Sequence, residues 1–75
     1  MVQQAETIYR QVLEISPDHA EAHNKLGFVF EDLGRLDDAL ASYSKAVAIK
    51  PDYAEAHNNL GILLRKLGRL DGDGF

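Results

Sequence analysis

Two stretches of the chain, Asp18–Asp37 (DHAEAHNKLGFVFEDLGRLD) and Asp52–Asp71 (DYAEAHNNLGILLRKLGRLD), agree at 13 of 20 positions with an offset of 34 residues. Self-similarity at a fixed spacing marks a repeat architecture, in which each unit buries its apolar face against the next one. The same offset carries Ala5, Tyr9, Ile15, Pro17 and Asp18 onto Ala39, Tyr43, Ile49, Pro51 and Asp52. The period therefore runs beyond the two quoted stretches and organises the chain.

Each period holds two segments of helical spacing. Ala22, His23, Leu26, Gly27, Phe30 and Leu33 recur at three and four residues, and so do Ala39, Tyr43, Ala46, Val47 and Ile49, which gives each segment one apolar face. Asp18 with Glu21, and Asp52 with Glu55, have the spacing of a capping box with Asp as the N-cap, and Pro17 and Pro51 end the preceding helices. Gly34 and Gly68 follow Leu33 and Leu67, where a left-handed C-terminal cap favours glycine. The short connections make neighbouring helices antiparallel. Gly27 and Gly61 lie inside helices, where glycine costs about 1 kcal/mol against alanine, so each implies a close helix approach. Ala39 and Ala46 are small at that approach, and Tyr43 fills the space between them.

The central unit, Ala20 to Tyr53, resembles the tetratricopeptide repeat: His23 stands in the first aromatic position, followed by Leu26, Gly27, Phe30, Ala39, Tyr43, Ala46 and Pro51 at the signature's spacing. His57, Leu60, Gly61 and Leu64 repeat the first half of the signature, while Ala5, Tyr9, Val12 and Pro17 repeat its second half with Val in place of one Ala. The resemblance implies an all-α fold of antiparallel helix-turn-helix repeats, a segment of a right-handed superhelix, and a role in protein–protein interaction.

The order of elements is out of phase with a self-contained stack. A second-type helix B at 3–15 comes first, then a full repeat over 20–53 with helices at 20–33 and 37–49, then a lone first-type helix A at 54–67. The whole forms one domain over 1–71. Residues 71–75 (DGDGF) replace the start of a further B helix, and their two glycines oppose helix formation, so they are expected to be a flexible tail. Arrays of this kind rely on about three repeats and on polar capping elements. Here Ala5, Tyr9 and Val12 are left facing a missing A helix, and His57, Leu60, Gly61 and Leu64 a missing B helix. The two faces complement each other, so a head-to-tail contact between copies would rebuild a repeat and propagate as an open filament or close as a ring. A domain-swapped dimer opened at Gly34-Arg35 meets the same need. The alternative is a fragment of a longer scaffold, whose neighbouring repeats cover both ends.

The resemblance also implies a concave surface, formed mainly by A helices, that takes an extended peptide or a partner helix. Its positions fall on Glu21, Asn24, Lys25, Phe28, Glu31 and Asp32, and on Glu55, Asn58, Asn59, Ile62, Arg65 and Lys66. Asn59 sits where some members use asparagine on a peptide backbone, but the equivalent residue is Lys25. The family's clamp for a C-terminal carboxylate needs basic residues where this chain has Asn24, Phe28, Asn58 and Ile62. A chaperone-tail receptor role is thereby rejected.

Composition bounds the remaining classes. The 75 residues are 45% hydrophobic and 27% charged, which is globular rather than disordered. A chain so short buries only about 60% of its unfolded surface, so its stability is expected to be marginal. The net charge of −4 argues against nucleic acid and anionic lipid, which recruit surplus Lys and Arg. No run reaches a membrane span, the start lacks the pattern of a secretory signal, and cysteine is absent, which fits a cytoplasmic protein. His19 and His23 have a possible zinc-ligand spacing, yet His23 shares a core position with His57, and Tyr53 is the counterpart of His19. Asp71-Gly72-Asp73-Gly74 begins like a calcium loop but lacks the later acidic ligand. With no Cys, nucleophile elbow or P-loop, no catalysis, cofactor or metal is expected.

Overall fold

A computed structural model describes residues 2–70 as four helices, α1 (Val2–Ile15), α2 (Ala20–Asp32), α3 (Leu36–Ile49) and α4 (Ala54–Leu70). The expected tail and the calcium-loop resemblance at 71–75 lie outside the described residues. Each helix packs chiefly on its neighbours in sequence, and α2 with α3 is the most extensive pair. Leu26, Phe30, Ala39, Tyr43 and Leu63 form the core, with Tyr9, Leu13, Leu36, Leu40, Leu60 and Leu67 packed at its margin.

The full repeat closes as the sequence implies. Ala39, Tyr43 and Ala46 have no exposed surface, and a Cβ built on Gly27 would stand 2.7 Å from Cδ1 and Cε1 of Tyr43. Glycine at this point is therefore a seat for the tyrosine ring. The turn from α2 to α3 is a Schellman motif: Gly34 adopts φ +78°, its N–H donates to the Glu31 carbonyl at 3.0 Å, and the Arg35 N–H donates to the Phe30 carbonyl at 2.9 Å. Arg35 then stacks on Phe30 with 4.5 Å to the ring centroid. It also pairs with Asp38 at 2.9 Å and with Glu6 of α1 at 3.3 Å, tying three helices at one corner.

Local details depart from the sequence reading in several places. The N-cap of α2 is His19 rather than Asp18: its Nδ1 accepts the Ala22 N–H at 3.1 Å, so the imidazole supplies the acceptor that an aspartate one residue earlier was expected to give. The helix of Ala54 likewise begins two residues past Asp52. Gly68 is not a C-cap, and the last helix runs through it to Leu70 rather than stopping at 67. Leu33-Gly34-Arg35-Leu36 and Leu67-Gly68-Arg69-Leu70 are the same tetrapeptide, so local sequence does not decide the turn. After Leu33 the reversal is rewarded by burial of Ala39, Tyr43 and Ala46; after Leu67 no described residue offers that reward, and the helix keeps its own hydrogen bonds. Gly61 has no close helix approach among the described residues, since a Cβ there would meet none of them within 4 Å.

Candidate protein-interaction surfaces

Equivalent residues of the repeat can be compared directly. In the closed pair, Leu26 and Phe30 are 6% and 4% exposed and Gly27 is buried. One period later, Leu60 is half-buried, His57 and Gly61 are exposed and Leu64 is 51% exposed. On α1, Ala5, Tyr9 and Val12 are all half-buried, whereas their counterparts on α3 are sealed. The expected open faces therefore differ in degree: α4 is bare around Gly61 and Leu64, while Tyr9 already leans partly on the core margin. Ile8 at 56% and Ile15 at 84% exposure enlarge the apolar surface of α1, and sequence reasoning missed both. Their helical spacing with Ala5 and Val12 was the available signal.

The A-type helices α2 and α4 touch through polar side chains. Asn24, only 2% exposed, accepts from Asn59 Nδ2 at 3.1 Å and donates to the Tyr53 hydroxyl at 3.5 Å. Glu31 joins three helices: one carboxylate oxygen accepts the Tyr43 hydroxyl at 2.8 Å, and the other pairs with Lys66 of α4. Burial, then the hydrogen bond to Glu31 and the charges of Glu31 and Asp32, push the Tyr43 hydroxyl well above the ordinary tyrosine pKa.

Among the groove positions, Asn24 and Asn59 bind each other and Glu31 and Lys66 bind each other. Lys25, Phe28, Asn58, Ile62 and Arg65 remain exposed. Asn24, Lys25, Phe28, Glu55 and Asn59 line a shallow depression of about 290 Å³. The two histidines at the first aromatic position do not serve as core residues. His23 is half-buried and His57 exposed, and each donates Nε2–H to the carbonyl of the proline six residues earlier, Pro17 at 2.8 Å and Pro51 at 2.7 Å. They tether the interhelical loops. With His19 Nδ1 committed to the α2 cap, the ligand spacing of His19 and His23 is explained by local structure. No group of three or more His, Asp or Glu residues suited to a metal occurs among the described residues.

The TPR repeat family model matches residues 3–34 and 31–68, spanning the helix pairs α1–α2 and α3–α4. The chain belongs to the tetratricopeptide repeat family. No curated protein matches it. TPR repeats are interaction modules and typically bind proteins or peptides. Among the described residues no helix is long and apolar enough to cross a membrane.

Proposed function

We propose that this TPR segment works without chemistry of its own, as a protein-interaction unit that joins a second copy of itself head to tail, the bare face of α4 receiving the apolar face of α1. One observation carries this reading: Ala39, Tyr43 and Ala46 are fully sealed against an A helix, while the equivalent Ala5, Tyr9 and Val12 are only half-covered and the equivalent A-helix face holds Leu64 half in water. Burying such surface is favourable at about 25 cal/mol per Å². A head-to-tail joint keeps the Schellman turn at Gly34, whereas a domain swap has to open it, so the former is preferred. Because the contact is heterologous, it leaves a free face at each end and propagates or closes as a ring.

Sedimentation equilibrium over a wide concentration range tests the reading. Mass growing well beyond 8.3 kDa is the expected result; a monomer at every concentration leaves the two faces to the neighbouring repeats of a longer scaffold. A second reading, capture of a partner peptide on the A-helix side, is favoured by Phe28, 58% exposed at the rim of the depression beside Asn59. It predicts peptide binding by a protein that stays monomeric.

A further inference from the structure

We infer that the second copy docks in the register of an ordinary repeat, with its Tyr9 seated on Gly61 and its Asp32 paired with Arg65. The inference rests on the head-to-tail reading and adds to it a register and a polar code.

The closed repeat supplies the template. Gly27 seats the ring of Tyr43, and Glu31 receives the Tyr43 hydroxyl and the Lys66 ammonium on its two oxygens. One 34-residue period along, Gly27 becomes Gly61 and Glu31 becomes Arg65; one period back, Tyr43 becomes Tyr9 and Lys66 becomes Asp32. Across the joint, the pair Glu31 with Lys66 is thus replaced by Arg65 of one copy with Asp32 of the next. Both charges are reversed and the attraction is kept. The tyrosine at this place tolerates the reversal because its hydroxyl donates to a carboxylate and accepts from a guanidinium equally well. Arg65, with five donors, serves Tyr9 and Asp32 together as Glu31 serves Tyr43 and Lys66.

The two ends are also ready for this contact. Arg65 and Asp32 are both exposed, and no described residue lies within 4 Å of a Cβ placed on Gly61, in contrast with the filled seat at Gly27. A partner of another kind has no reason to match a glycine notch and a charge at fixed spacing with groups that this chain itself carries on α1 and α2. Asn58 and Lys25, the counterparts of the bonded pair Asn24 and Asn59, are compatible across the same joint, since an amide oxygen accepts from an ammonium.

The test uses the full chain with three substitutions at exposed positions, helix content being checked by circular dichroism. Gly61→Ala fills the notch and should weaken association at least about ten-fold, as overpacking a seam does, with helix content kept. Arg65→Glu and Asp32→Lys should each weaken it on the order of five-fold, since each sets like charges face to face. Mixed one to one, those two variants should recover wild-type association, because Glu at 65 then meets Lys at 32 and the other joint is the native one. If the wild-type chain associates but Gly61→Ala associates equally well, or the mixture is no stronger than its components, the register is wrong and the head-to-tail reading survives in another alignment. If the wild-type chain stays monomeric, that reading itself fails.

Discussion

The same substitution at two equivalent glycines should shift stability in opposite directions. Alanine at Gly61 meets no described residue within 4 Å and removes the helical penalty of glycine, so it should stabilise the monomer by about 1 kcal/mol. For a chain of this size that corresponds to a rise of roughly 4–8 °C in Tm. Alanine at Gly27 gains the same helical term but places a methyl 2.7 Å from two ring carbons of Tyr43. That ring cannot give way cheaply, being fully buried and held by its hydroxyl to Glu31 at 2.8 Å. Overpacking of this kind costs about 1–3 kcal/mol, which leaves a net loss of up to about 2 kcal/mol after the helical gain. Thermal and urea unfolding of both variants, at a dilution where mass is that of one chain, should separate their midpoints by at least about 5 °C. Shifts of the same sign and size would refute the assignment of Gly27 as a filled seat and Gly61 as a vacant one.

Tyr43→Phe should lower stability at neutral pH by about 1–2 kcal/mol through loss of the bond to Glu31. It should also flatten the alkaline limb of a pH–stability curve. Because the folded-state pKa of Tyr43 is raised, its contribution is complete below the unfolded value of about 10 and is lost as pH climbs above it; an unchanged alkaline limb in the variant removes Tyr43 as its source. Tyr9→Glu and Leu64→Glu should each abolish mass growth in sedimentation, since each buries an unpaired charge at the joint, and association by both variants would place the contact elsewhere. Asn59→Ala should weaken any bound peptide, as it withdraws the amide that braces Asn24, and titration calorimetry showing the same affinity would take Asn59 out of the groove.

The pairing of the helices and the close approach at Gly27 were legible because the 34-residue period, the apolar spacing and the small residues set against Tyr43 are properties of the sequence alone, but the same pattern at Gly61 carries no such approach among the described residues. Helix ends were legible only where tertiary packing agreed with local chemistry. Gly34 turns and Gly68 does not, although their neighbours are identical, because the turn is stabilised by what α3 buries afterwards. The cap at His19 was missed because an imidazole acceptor competes with the carboxylate one residue before it, and the spacing alone favoured the carboxylate. Alignment with an aromatic position predicts core places for His23 and His57, but their ring N–H groups reach back to loop carbonyls that only the folded chain brings near. On the groove side, nothing in a linear pattern announced that Glu31 and Lys66, 35 residues apart, would neutralise each other.

The most direct test of the joint is an isotope-filtered nuclear Overhauser experiment on a sample mixed from labelled and unlabelled chains, at a concentration where mass has risen above one chain. Intermolecular contacts between the ring protons of Tyr9 and the α protons of Gly61 are the expected result. Tyr9 contacts confined to its own chain, in a sample that has associated, would contradict it.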